Sequence, residues 1–172
     1  MIRAFLKRLA GTLALPLVMA TVLVGCSAPE KRAKPVFTSS GIIEKLNLLA
    51  APIALNLDGI PGGDAIAVKI YATNPREARP IPITSGSVDL LAFEGVLAAS
   101  TNAPQPFKTW TFTASELRRL QFKASIGIGY QITASFAGIK PKSDRLTILA
   151  RYLNGTGRPI YSSPSTISLT AN

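Results

Sequence analysis

The strictest pattern in the chain is an alternation of apolar with small or polar side chains over residues 126–136. A period of two is typical of a β-strand that buries one face and leaves the other in water. The sequence therefore predicts a half-buried strand here, with Thr133 on its solvent face. We expect four side chains of the apolar face to lie in the core: Ile128, Tyr130, Ile132 and Phe136.

Several other segments show the same alternation or a short apolar run. The candidate strands cover residues 53–57, 66–70, 88–93, 109–112, 146–152 and 166–169. Connections rich in glycine, asparagine or aspartate separate them, notably residues 58–64 and 154–157, and such residues favour turns. About seven short strands with this punctuation predict a mainly β fold, an antiparallel β-sandwich.

One or two short helices are expected beside these strands. Thr113 and Glu116 have the spacing of a capping box, and Leu117 and Leu120 follow on one helical face. Residues 41–51 could form a second short helix, although their leucines suit a strand equally well.

Composition excludes several kinds of chemistry. The chain has 172 residues, no histidine and one cysteine, and 47% of its residues are hydrophobic. This length and apolar content suit one domain with a real core. Without histidine there is no Ser–His or Cys–His catalytic pair, and one cysteine supports neither an internal disulfide nor a zinc site of Cys/His type. We therefore predict no enzyme activity, no cofactor and no bound metal.

The N-terminal segment has the layout of a secretory signal peptide. A short basic start precedes an apolar stretch over residues 9–24, which proline and threonine interrupt. A membrane-spanning helix needs about 20 predominantly apolar residues, so this stretch is too short for a span. Removal of the segment on export is the expectation.

The apolar stretch ends in Leu23-Val24-Gly25-Cys26, which resembles the lipobox of bacterial lipoproteins. The resemblance implies that the Cys26 sulfur is acylated and that cleavage falls between Gly25 and Cys26. Ser27 follows the cysteine, and the resemblance then implies the outer membrane rather than retention at the inner one. Several acyl chains anchor a protein far more firmly than one chain does.

This resemblance divides the chain into three parts. Residues 1–25 are the predicted signal peptide, residues 26–36 the lipidated cysteine with a flexible tether, and residues 37–172 the β-sandwich domain. The tether is rich in lysine and arginine, which can rest on anionic headgroups or remain solvated. The expected location is the bacterial cell envelope, at the inner leaflet of the outer membrane and facing the periplasm.

The predicted body is similar in architecture to two groups of bacterial lipoproteins. One is the transthyretin-like small lipoprotein of the type VI secretion membrane complex, and the other comprises immunoglobulin- or C2-like lipoproteins with no assigned activity. Residues 65–73 resemble an early strand of the first group, which also runs into a tyrosine-containing segment. Architecture of this kind does not by itself determine function.

The charge balance is strongly positive but dispersed. The chain carries 19 Lys+Arg against 9 Asp+Glu, for a formal net charge of +10. Recognition of nucleic acid usually needs clustered cations with aromatic side chains for stacking. The cations of the body stand singly or in pairs, so nucleic acid is not a predicted partner.

Two features have a structural and a functional interpretation. Asp58 and Asp64 flank a glycine-rich loop, but calcium usually takes six to eight oxygen ligands, so a plain strand connection is favoured over a calcium site.

Trp110 lies among threonines and could stack on a sugar ring, whereas its place beside Phe112 on one strand face favours core packing.

The function expected from these residues is binding or scaffolding at the envelope. Exposed loops at one end of the sandwich, marked by Asp58, Asp64, Asn154 and Arg158, are the predicted contact surface for an envelope protein partner. The alternative is a module that binds glycan or peptidoglycan through Trp110. A hydrolase is less favoured, because nothing in the sequence brings two carboxylates to a catalytic separation.

Overall fold

A computed structural model of the protein describes residues 41–77, 79–97, 104–136 and 138–170. Cys26, the predicted signal peptide and the predicted tether lie outside these residues. Among the described residues no helix is both long and apolar enough to cross a membrane.

Nine strands and one helix follow one another along the described chain. They are β1 (Lys45–Ala50), β2 (Ala65–Thr73), β3 (Ser87–Glu94), β4 (Lys108–Thr113), α1 (Ala114–Arg119), β5 (Gln121–Ala124), β6 (Gly127–Ser135), β7 (Arg145–Leu153), β8 (Ile160–Tyr161) and β9 (Ser165–Ser168).

The strands form two antiparallel sheets. The first sheet has the order β1-β2-β6-β5, and the second has the order β4-β3-β7-β8, with β9 also paired to β7. β3 and β7 are in register over their whole shared length, from Ser87 opposite Leu153 to Glu94 opposite Leu146. The predicted mainly β, sandwich-like architecture is confirmed, with nine strands rather than about seven.

The inner faces of the two sheets share one apolar core. The first sheet contributes Ile132, which is fully buried, and the second contributes Ile148 from β7. Tyr130 also lies in this core, where Ile83 N–H donates to its phenolic oxygen (2.6 Å) and burial raises the pKa of the phenol. Of the four side chains predicted to lie in the core, Ile128 is only partly buried, because it lies near the first residue of β6, whereas Tyr130, Ile132 and Phe136 are buried.

The outer face of β6 is covered at one point by aromatic rings. A Cβ placed on Gly129 would lie 2.6 Å from Tyr71 and 2.8 Å from Phe122, so only glycine leaves room for these rings. The two rings meet edge to face with centroids 5.9 Å apart. Gly129 therefore serves the close packing of these rings.

The structure corrects the possible helix over residues 41–51. Residues Lys45–Ala50 form β1 instead and pair with β2, from Lys45 opposite Thr73 to Ala50 opposite Val68. Pairing along an existing strand satisfies the backbone and buries Leu46, which decides between two conformations that the side chains alone permit. Residues 53–57 are also not a continuous strand, since they contribute only isolated bridges.

The helix α1 begins at the predicted capping box. Thr113 Oγ1 accepts from Glu116 N–H (3.3 Å), and the Glu116 carboxylate accepts from Thr113 N–H (2.8 Å). The pKa of Glu116 is lowered first by the hydrogen bond from the Thr113 N–H and then by one from the Thr113 hydroxyl to the same carboxylate oxygen (2.7 Å). Leu117 is the residue of the helix that reaches the core.

The connections leave the sandwich at two ends. The described chain begins beside the last residue of β2, where Glu44 N–H donates to the Thr73 carbonyl (3.1 Å). We call this the proximal end; it also contains Lys45 and residues 74–77, 79–86, 113–120, 123–126 and 154–159. The opposite, distal end contains residues 51–64, 94–97, 107–108, 138–145 and 169–170. Here Leu169 N–H donates to the Asp144 carbonyl just before β7 (2.8 Å), and Gly63 N–H donates to the Leu169 carbonyl (3.1 Å).

Replacing Ile132 by alanine should lower the free energy of unfolding by about 2–5 kcal/mol, because a cavity replaces a fully buried side chain. The matched control is Thr133→Ala on the exposed face of the same strand, which should change stability by no more than about 0.5 kcal/mol. Denaturant unfolding of both variants measures the difference. Equal losses would contradict the observed register of β6.

Candidate functional site

The loop over residues 56–64 at the distal end is held by its own side chains. Asp64 accepts through one carboxylate oxygen from Leu57 N–H (2.8 Å) and through the other from Asp58 N–H (3.2 Å). Asp58 in turn accepts from Ile60 N–H (2.9 Å), and Asn56 accepts from Gly59 N–H (2.7 Å). Both predicted acidic residues therefore order the backbone of a glycine-rich loop.

The loop also packs closely, at Gly63, against Ala54 and the C-terminal residue Leu169. A Cβ on Gly63 would collide with that of Ala54 and would lie 3.0 Å from the Leu169 carbonyl oxygen. Close approach of the two backbones requires glycine at this position. The carboxylates of Asp58 and Asp64 and the close backbone contact at Gly63 therefore both hold the loop in place.

A second set of hydrogen bonds fixes the neighbouring connections. Glu94, the last residue of β3, accepts from Lys142 N–H (2.7 Å), and Gly95 N–H donates to the Arg145 carbonyl (2.8 Å). Thr147 is buried and donates its hydroxyl to the Gly95 carbonyl (2.7 Å). Residues 94–97 and 138–144 are consequently held together beside the first loop.

Several large apolar side chains of these hydrogen-bonded loops at the distal end are exposed to solvent. Ile60 is 65% exposed and Val96 is 63% exposed, and Leu57 and Ile139 also face solvent. A depression of about 400 Å³ lies between the first loop and residues 138–141 and includes Ile60, Ile139 and Lys140 in its lining. An ordered loop cluster with projecting aliphatic groups is a surface suited to contact with another macromolecule.

The structure does not bring all four predicted loop residues together. Asp58 and Asp64 lie at the distal end, whereas Asn154 and Arg158 follow β7 at the proximal end. The expectation of a single loop surface containing both pairs is therefore wrong. The nine-residue β7 separates them, because the chain reaches its first residue from the distal side and leaves its last residue on the proximal side.

Asn154 has a local structural role. Its side-chain oxygen accepts from Thr156 N–H (3.1 Å) and from Gly157 N–H (2.7 Å), which closes the turn. Arg158 is exposed just beyond this turn.

Trp110 is half-buried and packs against the core together with Phe107 and Phe112. Its indole N–H donates to the Ser135 carbonyl across the sandwich (2.9 Å). The side chain therefore links the two sheets, and the favoured interpretation as a packing residue agrees with this placement.

The serines near the C-terminus are part of the backbone hydrogen-bond pattern. Ser162 is buried, accepts from Ala150 N–H (3.0 Å) and donates to the Ser163 carbonyl (2.9 Å).

Within the described ranges no three potential metal-ligating side chains form a cluster. The carboxylates of Asp58 and Asp64 both accept hydrogen bonds from N–H groups of the loop.

One polar cluster had no signal in the sequence. Asp89 on β3 is only 3% exposed and forms an ion pair with Arg151 on β7 (2.7 Å), while Thr111 donates to its other oxygen (2.7 Å). The hydrogen bond to Asp89 is the main reason why the pKa of Arg151 is raised. The three residues stand on adjacent strands of the second sheet, so the cluster fastens these strands to one another.

A scan against models of known protein families gives no match to the chain, and a search of curated proteins gives none either.

Replacing Asp64 by alanine should increase amide hydrogen exchange over residues 57–60, because two N–H groups lose their acceptor. The net loss of stability should be about 1 kcal/mol. Asp64→Asn keeps one side-chain acceptor and should give an intermediate exchange rate, and Asp58→Ala is the matched control that affects Ile60. Identical exchange in Asp64→Ala and the unaltered protein would contradict the role of Asp64 in ordering the loop.

Proposed function

We propose that the chain is a lipid-anchored protein of the bacterial cell envelope that binds a protein partner through its distal end and has no catalytic role. The observation that carries the docking role is the distal end itself. There, exposed aliphatic side chains project from loops that hydrogen bonds hold in one conformation.

The argument for the anchor is the sequence Leu23-Val24-Gly25-Cys26 at the end of an apolar stretch. In this proposal Cys26 carries the acyl chains, Gly25 is the last residue removed, and the domain faces the periplasm from the inner leaflet of the outer membrane. Acylation at more than one position gives the stable membrane attachment that a single chain lacks.

The argument for the distal end is its position relative to the N-terminal side of the domain. The described chain enters the domain at the proximal end, beside Thr73, and the proposed anchor lies upstream of this point in the sequence. Ile60 and Val96 lie at the other end of the sandwich, away from this connection. A surface so placed can meet a partner without competing with the bilayer.

The physical basis of the docking is a low ordering cost. Loops that are already fixed by Asp64 and Glu94 lose little conformational entropy on binding. Ile60 and Ile139 supply apolar area, and Lys140 and Lys142 provide a polar rim that can pair with carboxylates of a partner. Attachment to the membrane raises the effective concentration towards other envelope proteins, so a weak contact suffices.

Intact-mass measurement of the protein extracted from host membranes tests the anchor. We expect a mass that begins at Cys26 and includes acyl chains, and we expect Cys26→Ser to abolish both the added mass and the processing. Detection of residues 1–25 in the mature protein from its native host would overturn the anchored part of the proposal.

Crosslinking in intact cells, followed by mass spectrometry, tests the docking surface. We expect a stoichiometric protein partner whose recovery falls at least tenfold in the double variant Ile60→Ser/Ile139→Ser, because apolar contact area is lost. The matched control is Ile126→Ser, which alters an exposed isoleucine at the proximal end and should leave recovery unchanged. Equal recovery in all three proteins would overturn docking through the distal end.

A further inference from the structure

The charges of the domain are distributed unequally between its two ends. At the proximal end the cations outnumber the carboxylates. The cations there are Lys45, Arg76, Arg79, Arg118, Arg119, Lys123 and Arg158, and the carboxylates are Glu44, Glu77 and Glu116. At the distal end the two signs balance, with Lys108, Lys140, Lys142 and Arg145 against Asp58, Asp64, Glu94 and Asp144.

Local structure explains why this positive charge is presented outward. Arg118 and Arg119 occupy the last turn of α1, where the helix dipole favours cations, and both are exposed. Lys123 is exposed on the edge strand β5, close to the turn into β6. These three cations therefore stand on one short stretch of chain at the proximal end.

Two of the carboxylates at this end are engaged in local hydrogen bonds. Glu116 accepts from Thr113 at the start of α1, and Glu44 accepts from the Asn74 side-chain amide (3.2 Å). Their oxygens are thus directed towards the protein backbone and a neighbouring amide. Arg118, Arg119 and Lys123 are exposed at this end and carry positive charge that an anionic surface can contact.

We propose that the proximal end rests on anionic phospholipid headgroups and so sets the orientation of the domain on the membrane. This inference rests on the proposed lipid anchor, which would join the domain at the same end. The sequence between Cys26 and the domain contains further cations, Lys31, Arg32 and Lys34. A single anchor permits many orientations, and each cation near an anionic surface favours contact by about fivefold.

The consequence of this orientation is that the distal end points away from the bilayer. An acyl anchor alone would let the domain lie on either sheet, which would bring Ile60 and Val96 towards the lipid for part of the time. Electrostatic contact at the proximal end keeps these side chains available to a partner, and salt would weaken that contact by screening.

The test compares the distance of each end from the bilayer. Protein from host membranes is reconstituted into vesicles of phosphatidylcholine alone or mixed with phosphatidylglycerol. A fluorophore is attached to a cysteine introduced as Ser115→Cys on α1 or as Ser143→Cys at the distal end. Quenching by a lipid with a spin-labelled headgroup then reports proximity.

With phosphatidylglycerol present, we expect quenching at position 115 to exceed that at position 143 severalfold. High salt or phosphatidylcholine alone should remove the difference. The variant Arg118→Gln/Arg119→Gln/Lys123→Gln should also remove it, whereas the matched variant Lys140→Gln/Lys142→Gln/Arg145→Gln should preserve it. Equal quenching at both positions, or equal effects of the two triple variants, would overturn the orientation.

Failure of the anchor and failure of the orientation give different results. If intact mass shows an unmodified Cys26, the same measurement is made in a Cys26→Ser background, so that only the introduced cysteine is labelled. Preferential quenching at position 115 would then support the orientation although the anchor proposal has failed. An acylated protein without this preference would retain its anchor and contradict the orientation.

Discussion

The apolar layer between the two sheets is the constraint on which the rest of the molecule depends. β7 borders this layer, with Leu146, Ile148 and Ala150 buried in the shared core. Its nine residues extend about 30 Å at the usual rise per residue. Buried backbone N–H and C=O groups must be hydrogen-bonded, so the loops that connect the strands leave the sandwich only at its two ends. The separation of two loop clusters, one ordered and apolar and the other cationic, follows from this length.

Strands with one buried face are predictable from the alternation of their side chains, and β3, which is buried on both faces, is predictable from its apolar run. Alternation in β6 and β7 reports directly which side chains meet the core, and both strands were recognised from it. β5 and β8 have four and two residues, so they are too short to show a period and depend on pairing with a longer neighbour. Residues Lys45–Ala50 carry leucines that suit either conformation, and only the partner strand β2 decides between them.

The candidate site shows a similar division between local and non-local information. The loop containing Asp58 and Asp64 was predictable, because aspartate and glycine order turns through contacts within a few residues. Its separation from Asn154 depends on strand order, which no local pattern records. The pairing of Asp89 with Arg151 joins residues 62 positions apart, so sequence spacing carries no trace of it.

The capping box at Thr113 and Glu116 has a consequence for acidic surroundings. A carboxylate whose pKa is lowered by folding contributes stability above its unfolded pKa and loses that contribution only as pH falls through the folded value. Because the chain has no histidine, it lacks the side chain that ordinarily changes charge between about pH 5 and 8. A domain exposed to the changing acidity of an external medium would therefore keep the same helix start across that interval, with no histidine to change its charge.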